Sequence, residues 1–242
     1  MPQKIFAGNW KLNKSPKEAR AFVVDLIQKR KSAASLVIFP SAMCLEAVAE
    51  NAKAAGLQFG LQNAYFESKG AFTGENSAAV SKELGATYVL IGHSERRTLF
   101  KETDEMINKK VKSALSLNLI PMICIGETLA ERESDRTIEV LEHQISEALK
   151  SVPVDAKFVV AYEPVWAIGT GKVASFEQVT EAHHQIFKKL KFLGYSEETP
   201  ILYGGSVKPD NSKQLLGIPH VDGFLIGGAS LEVDSFLAIA EG

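Results

Sequence analysis

The chain has 242 residues, 45% hydrophobic and 23% charged, with a formal net charge of −2. That is an ordinary globular composition, and it offers no basic field for nucleic acid or anionic lipid. No apolar run is long enough to span a bilayer, MPQKIFAGNW has no signal-peptide pattern, and Cys44 and Cys124 lie far apart without ligand spacing. The expectation is a cytoplasmic protein with reduced thiols, no nucleic-acid partner and no membrane segment.

In chain order, strands and helices alternate. Lys4-Ile5-Phe6-Ala7 reads as a strand ending in Gly8-Asn9-Trp10-Lys11. Ser15, Pro16 and Glu18 then spell a capped helix start, with Ala19, Phe22, Val23, Leu26 and Ile27 on its buried face. Leu36 to Phe39 is the second strand, stopped by Pro40, and Ser41 opens a helix predicted to run to about Ala55. Leu57 to Leu61 is a third strand. A long loop, Gln62 to Asn76, precedes a short helix over about Ser77 to Leu84. Tyr88 to Ile91 is the fourth strand, followed by Gly92-His93-Ser94-Glu95 and a helix buried through Ile107, Val111, Ala114 and Leu115. Pro121 to Ile125 is the fifth. The helix from about Asp135 to Lys150 buries Ile138, Leu141, Ile145 and Leu149.

Phe158 to Tyr162 is an apolar run typical of a buried parallel strand. Glu163 stands where it runs out, and Pro164 cannot extend the ladder. The loop Val165 to Thr170 is too apolar for an idle surface connection, and Ser175-Phe176-Glu177-Gln178 is a capping box for the next helix. An acid under a greasy, glycine-tipped loop is how a base beneath a mobile lid would be written, although acids at strand ends are common. Ile201 to Tyr203 and Asp222 to Ile226 are the last strands, giving way to Gly204-Gly205-Ser206 and Gly227-Gly228.

Eight such units, about thirty residues apart and without a linker, predict a single-domain closed (β/α)8 barrel over residues 1–242. An open doubly wound sheet is the alternative, but no GxGxxG follows the first strand. In a barrel all strand C-termini share one face, and that face holds the site. Asn9, Lys11, His93, Glu95, Glu163, Ser206, Gly227 and Gly228 all fall there. Glycine pairs after the seventh and eighth strands suit main-chain binding of phosphate.

The segments GNWKLN (8–13), GAFTGE (70–75), IGHSERR (91–97), CIGETLAERE (124–133), AYEPVWAIGTGK (161–172), YGGSV (203–207) and DGFLIGGASL (222–231) together resemble the triosephosphate isomerase family, in register along essentially the whole chain. The resemblance implies interconversion of dihydroxyacetone phosphate and D-glyceraldehyde 3-phosphate through an enediolate, without cofactor or metal. It implies a homodimer built through the loop Gly70 to Glu75. Matched position by position, Glu163 would be the base and His93 the neutral electrophile. Lys11 and Asn9 would meet substrate oxygens, with Glu95 behind Lys11. Gly169, Ser206, Gly227 and Gly228 would hold the phosphate. The pattern departs at Phe176, at Lys188 and at Asn76 to Ala79, away from the chemistry. Alternative readings are another phosphate-binding barrel enzyme or a catalytically inactive dimeric binding protein. A Schiff-base aldolase would need a lysine near the end of the sixth strand, where this chain has Glu163, and an inactive protein would be expected to have lost Glu163, His93 or Lys11, all of which are present. The adjacent pair His183 and His184 reads as ordinary helix, His220 has no ligand-spaced partner, and Cys124 reads as packing beneath Glu163.

Overall fold

The computed structural model of the chain describes residues 4–168 and 172–242. Eight strands pair in parallel, in sequence order, and close on themselves. They are β1 (Ile5–Asn9), β2 (Ser35–Phe39), β3 (Gln58–Leu61), β4 (Tyr88–Ile91), β5 (Ile120–Ile125), β6 (Val159–Tyr162), β7 (Ile201–Tyr203) and β8 (Gly223–Ile226). The ring closes where Ile5 to Gly8 of β1 pair with Gly223 to Ile226 of β8.

The helices wrap outside: α1 (Pro16–Lys29), α2 (Leu45–Ala52), α3 (Ala78–Glu83), α4 (Ser94–Leu99), α5 (Asp104–Ser116), α6 (Leu129–Glu133), α7 (Thr137–Ala148), α8 (Phe176–Phe192), α9 (Ser212–Leu216) and α10 (Val233–Glu241). The predicted caps form at α1, where Ser15 and Glu18 bond reciprocally, and at α8, where Ser175 and Gln178 do. Among the described residues, no helix is long and apolar enough to cross a membrane.

Several sequence expectations are corrected. Ser41 makes no side-chain cap. A short 3-10 turn, Ala42–Cys44, precedes α2, which ends at Ala52. The helix expected from Asp135 starts two residues later, because Asp135 adopts φ 56°, outside the right-handed helical region. Ile27 is 39% exposed, at the edge of the α1 stripe, and Ile138 is only half-buried. The short helices α6 and α9 are too brief to show a hydrophobic period, although Thr128 and Glu131 of α6 do spell a capping box.

Because side chains alternate along a strand, the barrel has two cores. Ala7, Val37, Phe39, Leu90, Met122, Cys124, Val159, Ala161, Leu202 and Leu225 fill the interior. Phe6, Ile38, Val89, Ile91, Ile123, Val160, Tyr162, Tyr203 and Phe224 face the helices. Both faces of every strand are therefore dry, which is why these strands read as continuous apolar runs.

Candidate active site

The period of two places Glu163. Val159 and Ala161 point into the barrel, and the next step carries the carboxylate into the mouth. The backbone is still paired there, since Glu163 N–H donates to Ile125 O at 2.7 Å. Glu163 is 2% exposed. Its Oε2 accepts the Ser94 N–H at 3.0 Å, and its Oε1 lies 2.9 Å from His93 Nε2. Burial penalises the carboxylate, but His93, the Ser94 N–H and the Cys124 thiol outweigh it and hold Glu163 below its ordinary value. Cys124 is fully buried, and burial beside Glu163 pushes its thiol well up, so it is packing and not a nucleophile.

His93 arrives by a different device. By alternation it would follow Val89 and Ile91 outward, but Gly92 takes φ 73° and redirects the chain. His93 then becomes the N-cap of α4, and its Nδ1 accepts the Glu95 N–H at 3.2 Å. A backbone N–H can only donate, so the neutral ring carries its proton on Nε2, aimed at Glu163. Burial disfavours the imidazolium; the adjacent Glu163 carboxylate more than offsets this, so His93 sits above its ordinary value while the two touch.

Lys11 adopts φ 52°, a left-handed conformation that costs a non-glycine residue about 1–2 kcal/mol. Three contacts hold it. Asn9 Oδ1 accepts the Lys11 N–H at 3.0 Å, Gln62 Nε2 donates to the Lys11 carbonyl at 2.8 Å, and Lys11 Nζ meets Glu95 Oε1 at 2.6 Å. The strain is spent on turning the ammonium towards the mouth. A cavity of about 320 Å³ opens there, lined on one side by Asn9, Lys11, His93 and Glu163 and on the other by Ser206, Gly227 and Gly228. Ser206 Oγ donates to Ala167 O at 3.2 Å, joining the cavity wall to the base of the loop after β6. Glu95 does not line this cavity; it lies behind Lys11. Gly169 and the tip of the anticipated lid fall outside the described residues.

Sequence reasoning passed over Glu127. Its fully buried Oε1 accepts from Trp166 Nε1 at 2.8 Å, Arg132 at 3.0 Å and Tyr162 Oη at 3.2 Å. Its carbonyl accepts the Val165 N–H at 3.1 Å. Glu127 therefore fixes the start of the loop that follows Glu163. The available signal was an acid directly after a strand end, with Arg132 a little over one helical turn on. Arg96 and Arg97 pair with Glu102 and Asp104 at 2.7 and 2.6 Å.

A closed parallel barrel whose mouth joins a buried carboxylate, an imidazole N–H and a strained lysine around one cavity defines an enzyme of proton-transfer chemistry. The family model described as triosephosphate isomerase matches residues 4–242. A curated protein of Bdellovibrio bacteriovorus named triosephosphate isomerase is 57% identical over 239 residues, covering 98% of this chain and 99% of the relative. Proteins of the same name from Magnetococcus marinus and Clostridium botulinum are 48% and 47% identical, covering 100% and 99% of this chain and 99% of each relative. The chain belongs to the triosephosphate isomerase family.

Proposed function

We propose that this chain interconverts dihydroxyacetone phosphate and D-glyceraldehyde 3-phosphate, as an enzyme of glycolysis and gluconeogenesis, with Glu163 as the base. The observation that carries the reading is the direct contact of His93 Nε2 with Glu163 Oε1 at the edge of a cavity shared with Lys11 and Asn9. Glu163 removes a proton from the carbon beside the carbonyl, leaving an enediolate, and returns it to the neighbouring carbon. His93 donates its Nε2–H to the developing oxyanion. Lys11 supplies fixed positive charge to the same oxygens and to the phosphate dianion. To reach substrate, Glu163 must leave His93. Once it does, the largest cause raising His93 is gone, and burial and the Lys11 ammonium push the ring downward against Glu95 alone.

Ser206, Gly227 and Gly228 are assigned to the phosphate. Gly227, Gly228 and Ala229 line the cavity at the start of the 3-10 segment Gly228–Ser230, and the N–H groups at such a start suit an anion. Gly169 is assigned to the same group from the sequence. We take residues 1–242 as one domain, working in the cytoplasm as a homodimer. The dimer reading is supported by exposed apolar side chains, among them Leu12, 97% exposed, Met43 and Phe72. The deciding experiment is a coupled assay of purified protein on glyceraldehyde 3-phosphate, with glycerol-phosphate dehydrogenase reporting dihydroxyacetone phosphate. Turnover that disappears in Glu163→Gln supports the reading, and wild-type protein without turnover refutes it.

A further inference from the structure

We propose that His183, on α8 and outside the cavity, is a positioning residue that sets Glu163 by wedging apart the tyrosines that end β6 and β7. The proposal rests on the isomerase reading given above. His183 is fully buried. Its ring stands edge-on to Tyr162, with centroids 5.9 Å apart at 85°, and tilted to Tyr203, 6.4 Å away at 51°. The two tyrosines are register partners, with their own rings 6.4 Å apart. The three rings form a closed triangle behind the strand ends.

Each tyrosine immediately precedes a residue of the site. Tyr162 leads into Glu163, and its hydroxyl is held by Glu127. Tyr203 leads into Gly204, whose N–H donates to Tyr162 O at 2.7 Å. Gly204 backs the Glu163 side chain so closely that a Cβ there would stand 2.9 Å from Glu163 Cγ. Moving either tyrosine therefore moves the carboxylate or the wall behind it.

The wedge is itself anchored. His183 Nδ1–H donates to His220 O at 2.8 Å, which fixes the tautomer with its proton on Nδ1. His220 stands at φ 65°, and its ring stacks on Phe187, one turn along the same helix, at 3.9 Å and 15°. Thus α8 grips the turn before β8 at two points and holds the His183 ring at a fixed height between the tyrosines. The sequence expectation of an ordinary helical role for His183 does not include this, because His220 joins it only in the folded chain.

Two variants separate the ring from its hydrogen bond. His183→Asn retains a donor near the Nδ1 position but removes the far half of the ring. His183→Phe keeps the ring volume and loses the bond. Since a displacement of reacting groups by a fraction of an ångström is enough to cost about tenfold, His183→Asn should lower kcat about tenfold with KM within twofold. His183→Phe should keep kcat within about threefold and mainly lower Tm. If His183→Asn does not accumulate as folded protein, His183→Leu, which fills part of the space, is measured by the same split and should lose several-fold more kcat than His183→Phe does. Wild-type kcat in His183→Asn, or in His183→Leu in its place, with only Tm reduced, would overturn the proposal. So would equal loss of kcat in His183→Phe. Wild-type turnover, measured alongside, separates this outcome from failure of the isomerase reading.

Discussion

His93 Nε2 and Glu163 Oε1 lie 2.9 Å apart, while Nδ1 of the same ring accepts the Glu95 N–H. The proposed base and the proposed electrophile are thus partners of each other in the resting barrel. The contact raises His93 and lowers Glu163. Replacing Glu163 by Gln removes the largest cause that raises His93, leaving burial and Lys11 to push it down against Glu95 alone. The His93 titration followed by ¹⁵N–¹H NMR should therefore move to lower pH in Glu163→Gln than in wild type. An unchanged or upward-moved titration would contradict the assigned contact.

Glu163→Asp keeps the charge and withdraws it by one methylene, on the order of 1 Å, a displacement that can cost ~100-fold. The backbone cannot follow it inward, since Glu163 N–H is bonded to Ile125 O and Gly204 N–H behind it to Tyr162 O. Steady-state kinetics should show kcat reduced by about that factor and KM changed far less. Activity within a few-fold of wild type would mean that another group takes the proton.

Glu127 collects Trp166, Arg132 and Tyr162 on one buried oxygen. Glu127→Ala removes the shared acceptor of three donors, one of them charged, which costs about 3–5 kcal/mol and should lower Tm by on the order of 10 °C for a chain of this size. Trp166→Phe removes one charge-assisted bond and should cost less, about 1.5–3 kcal/mol. Thermal melts of both variants test the order. A Trp166→Phe protein less stable than Glu127→Ala would refute it.

Acid should loosen the α8 corner. Burial drives His183 down to about 4, and burial with the nearby His184 lowers His220. Both bind a proton more weakly folded than unfolded. The stability they contribute is complete above the unfolded value of about 6.5 and is lost as pH falls from there towards 4. Depressed Glu163 acts in the same direction at lower pH, and raised His93 opposes it. Tm should fall between pH 7 and pH 5, and His183→Asn, which cannot titrate, should show a shallower fall. A parallel curve would exclude His183 as a source of the acid sensitivity.

The loop carrying Gly70 to Glu75 is internally organised. Phe72 stacks near Tyr65 at 4.6 Å, Phe72 N–H donates to Gly70 O and Glu75 N–H to Phe72 O. An ordered loop that leaves Phe72 39% exposed is shaped for a partner surface. Deleting Ala71 to Gly74 should give a monomer that has lost nearly all activity. Sedimentation velocity at micromolar concentration tests it, and a wild-type monomer with full activity would sink the dimer reading.

The alternation of apolar strands and capped helices was enough, by itself, to give eight units and hence a closed barrel. Ser15, Glu18, Ser175 and Gln178 mark their helix starts through bonds made within one turn, and such local chemistry is written in sequence. Glu163 was legible for a related reason: strand alternation continues past Ala161 without interruption. His93 was marked by its strand-end position, but not its orientation, which depends on Gly92 turning to φ 73°. The neutral tautomer of His93 depends on an N–H that is free only because α4 begins there. His183 and His220 gave no usable signal, and Glu127 gave only its place after a strand end, with Arg132 nearby. Their partners lie 35 to 39 residues away for the Glu127 contacts with Tyr162 and Trp166 and 37 residues away for His183 and His220. Only closure of the barrel brings such groups together, because burial removes water and makes a distant group the available partner; Glu127 Oε2 and His183 Nε2 are buried without a hydrogen-bond partner among the described residues.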